Sequence, residues 1–307
     1  MGYVRSPIPY MGNKFKLLPY LIPIFPKKIN TFYDLFGGSG VVSANVVADK
    51  TVYNELNINI YNLYKMFVET EPHTLIRKID EIVDKYKLPR YGVDVRRNLQ
   101  PELVDEAEKA YINLRSDYNK SEDRDLVMLY TLIMYSFSNL IRFNSDSEFN
   151  MPVGNQYWSN FWANTIKRFK THIQEKDITL LNENAFDLFH TLNFKEDDFV
   201  YLDPPYSNSE AVYNEQQAFG GWTIEDDYKL FNYLDKLTQK GVKWGLSNVY
   251  TIKGKVNQHL IDWVEKNNYS CMYIDFKYYA LGKGDAQNQE VYICNYKIPI
   301  IKEEKLW

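Results

Sequence analysis

Apolar positions along this 307-residue chain follow two periods, one of strands and one of helices. Short apolar runs, too short for helices, read as buried strands: 31–36, 51–54, 178–181, 199–202 and 242–248, with closing strands at 271–276 and 289–296. Between them, apolar residues recur three and four apart. Leu17, Leu18, Leu21 and Ile22 space as one helix face after a turn at Gly12-Asn13, and helices are expected over 41–48, from Thr223-Ile224-Glu225 onwards, and over 257–266. Strands alternating with helices predict an α/β fold around a mostly parallel sheet.

From 57 to 139 the helical period dominates. Ile60, Leu63, Tyr64 and Phe67 make one apolar face, and Leu126, Leu129, Tyr130, Ile133 and Met134 another, with Pro72, Pro89 and Pro101 as punctuation. A long helical stretch between the second strand and the later ones predicts an inserted subdomain. After it, 139–154 reads as a polar hairpin with apolar tips, which taken alone is a surface hairpin. Within it Arg142 has the guanidinium geometry to read guanine edges, and Leu140 and Pro152 are suited to thymine methyls.

Chemistry concentrates at strand ends. The run Phe199-Val200-Tyr201-Leu202 stops at Asp203-Pro204-Pro205-Tyr206, because proline has no N–H for a sheet ladder. An acid, a rigid turn and an aromatic ring are presented together at a strand's carboxyl end, where open α/β sheets bind ligands. An exocyclic amine on a nucleobase is a poor nucleophile because its lone pair is delocalised into the ring. A carboxylate accepting one N–H and a proline carbonyl accepting the other would free that lone pair. Tyr206 offers a ring for stacking the base. A solvated Asp-Pro turn is the plainer alternative.

Two further turns suit a nucleotide-like ligand. Gly37-Gly38-Ser39-Gly40 breaks the first strand after Phe36 and opens a helix, the start of a βαβ unit. Glu55 stands after the second strand, where an acid commonly binds ribose hydroxyls. Asn184, Ala185 and Phe186 follow the third strand and are placed to flank an adenine ring. A polar loop from Ser207 to Gly221 is a candidate lid.

Composition narrows the setting. With 36 basic against 40 acidic residues, net −4, nucleic-acid binding must rest on local patches. The first 28 residues supply one: Arg5, Lys14, Lys16, Lys27 and Lys28 with no acid. Lys14, Lys16 and the Lys167-Arg168-Lys170 cluster are candidate phosphate contacts. Cys271 and Cys294 lack metal-ligand spacing, which suits a reduced, cytoplasmic setting. No apolar run spans a bilayer.

In this order the parts resemble the Dam-type DNA adenine methyltransferases. The likeness rests on Tyr10, Gly12 and Lys14; Phe36, Gly38 and Gly40; Glu55; Asp203 to Tyr206; Arg142-Phe143-Asn144 with Glu148 to Gly154; and Glu290 to Tyr296. Three departures stand out: Glu55 where aspartate is more usual, Asn13 where glycine is common, and Ser145-Asp146-Ser147 where a basic residue and a glycine are often found.

The resemblance implies a Rossmann-like S-adenosylmethionine-dependent methyltransferase sheet with a helical target-recognition insert. The catalytic domain would comprise 1–70 and 174–307, and the insert 71–173. It implies methyl transfer from S-adenosylmethionine to N6 of an adenine flipped out of double-stranded DNA in a GATC-like site. The catalytic residues would be Asp203, Pro204, Pro205 and Tyr206. The cofactor would lie against Tyr10, Lys14, Phe36, Gly38, Gly40, Glu55, Ala185, Phe186 and Asp203. DNA would meet Leu140, Arg142, Asn144 and Pro152. No metal, no covalent intermediate and no membrane is expected, with a monomer or weak dimer in a bacterial or phage-infected cell. Two other readings remain open: an RNA or protein-glutamine N-methyltransferase, and a catalytically silent Rossmann-like nucleic-acid-binding module.

Overall fold

Along β4 (Phe199–Leu202) all side chains are buried, as a strand covered on both faces requires. Val200 and Leu202 face one side, with Trp244, Leu246, Val291 and Ile293 and the buried faces of helices Ile224–Gln239 and Gln258–Asn267. Phe199 and Tyr201 face the other, where the Phe25 ring packs tilted against both, its centroid 4.9 and 5.4 Å from theirs. The two-residue alternation of a strand separates these layers.

The computed structural model describes residues 2–90, 101–207, 221–252, 254–274 and 289–299. The chain divides into two compact units. One comprises Met1–Asn13, Gly38–Ala44 and Asn57–Glu175; the other comprises Lys14–Gly37, Asn45–Leu56 and Lys176–Trp307.

The second unit carries the sheet. Its other strands are β1 (Thr31–Asp34), β2 (Lys50–Asn54), β3 (Ile178–Leu181), β5 (Lys243–Ile252), β6 (Lys255–Val256), β7 (Ser270–Ile274) and β8 (Gln289–Cys294). The order is β3-β2-β1-β4-β5-β8-β7, with β6 on β5. From β3 to β5 neighbours run parallel, whereas β8 is antiparallel to both β5 and β7. This is a Rossmann-like, mainly parallel sheet, and its order reverses between β1 and β4, the switch point at whose carboxyl ends ligands bind. Edge strand β3 is only partly covered.

Several elements are shorter than their apolar runs suggest. Strand β1 stops at Asp34, although Leu35 N–H still reaches the Tyr201 carbonyl at 3.2 Å. Residues 14–24 fold as a 3-10 turn Lys14–Leu17, a single helical turn Leu18–Leu21 and a second 3-10 turn Ile22–Ile24, with Pro19 and Pro23 interrupting the hydrogen-bond ladder. The helix after the glycines ends at Asn45, and the Val46 carbonyl is taken by the Lys176 ammonium.

The first unit is helical: Ile58–Glu69, Pro72–Tyr86, Pro101–Lys120, Leu126–Tyr135 and Asn160–Ile173. Ile60, Leu63, Tyr64 and Phe67 form a buried face, and Asn57 caps that helix by accepting from Asn59 N–H at 2.9 Å. Pro72 and Pro101 sit at helix starts, where a missing N–H costs nothing. Helix Leu126–Tyr135 is buried nearly all round, in keeping with a sequence that is apolar or aromatic but for Thr131.

Among the described residues no helix is long and apolar enough to cross a membrane. The candidate lid falls at 208–220, outside the described residues apart from its ends, as does the last part of the 271–276 strand.

Candidate active site

The Asp203–Tyr206 turn leaves β4 at Asp203 and puts a largely buried acid against a buried base. Lys14 Nζ lies 2.8 Å from Asp203 Oδ1 and 3.5 Å from Glu290 Oε1, and donates to Tyr206 Oη at 3.1 Å. Tyr206 Oη in turn donates to Asp203 Oδ1 at 3.3 Å. Each residue is delivered by its own element: Lys14 by the opening 3-10 turn, Asp203 and Tyr206 by the turn after β4, and Glu290 by β8.

Lys14 is 4% exposed and Glu290 9%. Burial works against the Lys14 charge, but the pull of Asp203, Tyr206 and Glu290 outweighs it and holds the ammonium well above the ordinary lysine range. Burial raises Asp203 against the pull of the Lys14 cation, and raises Glu290, helped by the negative charge of Asp203. Tyr206 is pushed far up by burial and by Asp203, so its hydroxyl stays protonated. Lys14 is therefore not free to contact phosphate, one of the two roles its sequence suggested. Its three N–H groups have acceptors inside the protein. Lys170 likewise donates to the Val68 carbonyl at 2.5 Å, which leaves exposed Lys16, Lys167 and Arg168 as phosphate candidates.

The remaining cofactor candidates fall into both units. In the sheet unit, Phe36 lies edge-on to Trp222 at 5.5 Å. Phe186 stacks on Trp222 at 5.7 Å, and the Lys229 ammonium sits 4.1 Å from its ring centroid. Asn184 caps helix Ala185–Thr191, Ala185 and Phe186 are buried, and Glu55 is nearly so at the end of β2. In the helical unit, Tyr10 packs against the glycine turn. Gly38 has φ +50° with the Tyr10 ring beside it, and Gly40 has φ +69° where a Cβ would run into the Tyr64 ring. Both positions need glycine, for backbone angle and for space.

Glu290 opens the closing motif Glu290 to Tyr296, but was assigned no role from sequence. Sequence reasoning missed two participants, Trp222 and Asp227, which have no motif of their own. The buried Asp227 carboxylate accepts from Ser207 Oγ at 2.5 Å, Trp222 Nε1 at 2.7 Å and His259 Nε2 at 2.7 Å. It thereby ties Ser207, next after Tyr206, to the ring beside Phe36 and Phe186.

The hairpin exists as expected. Phe143 bridges to Phe149 and Ser136 to Val153. Asn144 Oδ1 accepts from the N–H groups of Asp146 and Glu148 at 3.0 and 2.8 Å, shaping the tip. Helix Pro101–Lys120 supports it: Tyr111 and Arg115 donate to the Met151 carbonyl, and Asn119 pairs with the Phe149 backbone. Arg142 donates from Nε to Asn150 Oδ1 at 2.7 Å and from Nη2 to the Asn150 carbonyl at 3.0 Å. Leu140 is half-buried and Pro152 exposed.

A family model for D12 class N6 adenine-specific DNA methyltransferases matches residues 10–279, spanning every motif above from Tyr10 to Tyr206. The chain belongs to this class. Modification methylase StsI of Streptococcus sanguinis is 35% identical over 300 residues, covering 96% of this chain and 43% of that protein. Type II methyltransferase M.FokI of Planomicrobium okeanokoites is 32% identical over 298 residues, again 96% of this chain and 43% of that protein. The D12 chain described here thus spans under half the length of these two modification methylases. The DNA adenine methylase of Escherichia coli strain K12 is 25% identical over 255 residues, covering 80% of each chain.

Proposed function

We propose that this D12 chain methylates N6 of adenine within a specific site in double-stranded DNA, taking the methyl group from S-adenosylmethionine. The observation that carries the reading is the Asp203 carboxylate at the end of central strand β4, oriented through Oδ1 by Lys14 and Tyr206. With Oδ1 so engaged, Oδ2 is the oxygen that accepts an N–H from the target amine. The rigid Pro204-Pro205 turn keeps a carbonyl in place for the second N–H. Drawing on both hydrogens localises the N6 lone pair for attack on a methyl carbon. Tyr206 stays a neutral phenol beside the base.

The residues fit S-adenosylmethionine. Positive-φ glycines at 38 and 40 let backbone approach a ligand, Glu55 offers a carboxylate for ribose hydroxyls, and the turn after β1 lies at the sheet's switch point. Tyr10, Lys14, Phe36, Ala185, Phe186 and Asp203 complete the proposed cofactor set, Lys14 acting through Asp203. The bound cofactor supplies a methyl group made electrophilic by its sulfonium.

We assign DNA reading to the hairpin: Arg142 to a guanine edge, Leu140 and Pro152 to apolar contacts, and Asn144 to shaping the tip. The target-recognition insert is 71–173, the rest is catalytic, and the target adenine leaves the duplex to react. The Dam-type motifs support a GATC-like target, although Ser145-Asp146-Ser147 departs from that pattern, and the modification-methylase names of the relatives suit a restriction–modification setting.

The test is methylation-sensitive sequencing of DNA from cells expressing this chain. N6-methyladenine in one recurrent motif is expected, and none with Asp203→Ala. Methylation of RNA alone, or of protein, would replace this reading.

A further inference from the structure

Lys14 serves two carboxylates. Its ammonium is 2.8 Å from Asp203 and 3.5 Å from Glu290, and all three groups are largely removed from water. One positive charge therefore sits between two negative ones. Strand β8 holds Glu290 in register with Ile274 on β7 and Val249 on β5, so the second acid is fixed by the sheet. Nothing in the proposed reaction uses it, and burying a carboxylate only to share one cation is costly unless it does something.

We propose that Glu290 is a positioning residue that divides the Lys14 charge and so keeps Asp203 a strong hydrogen-bond acceptor for the adenine amine. The inference rests on the methyltransfer reading above. An ammonium paired to Asp203 alone would draw electron density off that carboxylate and weaken its hold on the N6 hydrogens. Glu290, 3.5 Å from the ammonium, takes part of that charge through space. Glu290 touches neither substrate nor the migrating methyl group; it acts through Lys14.

The sign of its effect is fixed by the charges. Three sets of groups face the cluster: the Lys14 cation, the Asp203 and Glu290 acids, and the phenols of Tyr206 and Tyr201. The phenols remain neutral, since burial raises both far above their ordinary range. Removing the Glu290 charge thus leaves Asp203 facing Lys14 uncompensated, which moves Asp203 titration to lower pH.

The test compares wild type, Glu290→Gln and Glu290→Asp. Asp203 is followed by carboxyl carbon NMR in the full chain without ligands, and kcat and KM are measured against pH on duplex DNA. The expected result for Glu290→Gln is an Asp203 titration moved to lower pH and an acid limb of kcat moved the same way. Plateau kcat should fall about ten- to a hundredfold, the size of a weakened hydrogen bond to a charged group. The KM for S-adenosylmethionine should hold within about twofold, and Glu290→Asp should recover most of the rate. An unmoved Asp203 titration in a folded Glu290→Gln protein overturns the inference. So does a loss of rate with unchanged pH dependence, which marks a merely structural acid. Should Glu290→Gln not fold, an Asp203 titration in Glu290→Asp identical to wild type, with an unaltered rate profile, overturns it equally. The NMR arm is independent of turnover. A wild-type chain that methylates nothing therefore counts against the proposed function and leaves the charge-sharing claim to stand or fall on titration.

Discussion

Buried Lys14 and largely buried Asp203 form an ion pair at 2.8 Å, joining the start of the chain to the strand end that carries the Asp203–Tyr206 turn. Partial burial makes such a pair poor evidence of net stability, but breaking it from one side is costly, because the orphaned charge stays largely out of water.

Lys14→Met should therefore unfold more easily than wild type, by about 3–5 kcal/mol at neutral pH, since it strands both Asp203 and Glu290. Burial already raises both acids, and without the cation each rises further. Their raised folded pKa values mean that protonation favours the folded state, so the deficit should shrink as pH falls towards the carboxylate range. In wild type the sign for Lys14 is the usual one for a raised base. Its contribution is complete below the unfolded lysine pKa and is lost as pH rises through the higher folded value. Denaturant unfolding of both proteins across pH measures this; a deficit that grows on acidification contradicts it.

Glu55→Ala should weaken S-adenosylmethionine binding by about 1.5–3 kcal/mol, the scale of a hydrogen bond to a charged group. Calorimetry on the folded variant reads this directly. Unchanged affinity would place the ribose elsewhere.

Arg142→Ala should relax discrimination at one guanine position by about 1–3 kcal/mol. The guanidinium is oriented by Asn150, through Nε and Nη2, so Asn150→Ala should blur the same position less severely. Methylation rates on duplexes with each base of the site changed in turn provide the measurement. If Arg142→Ala slows all duplexes alike, the arginine is a brace for the hairpin and bases are read elsewhere.

Much of this was legible in the residues. Buried strand β4 announces itself because all its side chains are apolar or aromatic, and Pro204-Pro205 marks its end without ambiguity. The buried faces of Ile58–Glu69 and Leu126–Tyr135 follow from helical spacing alone. The hairpin was legible as a hairpin, but its support was not. Asn119 and Tyr111 lie on a helix whose surface residues carry no signal of what docks there. Lys14 is expected from its motif at the cofactor and, as a basic residue in an acid-free segment, at phosphates; a lone lysine gives no hint of protein partners so far along the chain. Its acceptors, Asp203 and Glu290, meet it only once β4 and β8 are in the sheet. Asp227 was hidden for the same reason: Ser207, Trp222 and His259 come together only in three dimensions.

The central claim is that the Asp203 carboxylate activates the adenine amine. Single-turnover methyl transfer by Asp203→Ala on duplex DNA, with S-adenosylmethionine affinity measured on the same protein, tests it most directly. The account predicts a folded protein that retains cofactor affinity within about the 1.5–3 kcal/mol of one lost charged hydrogen bond and transfers no detectable methyl group. Near-normal transfer by the folded variant would contradict it.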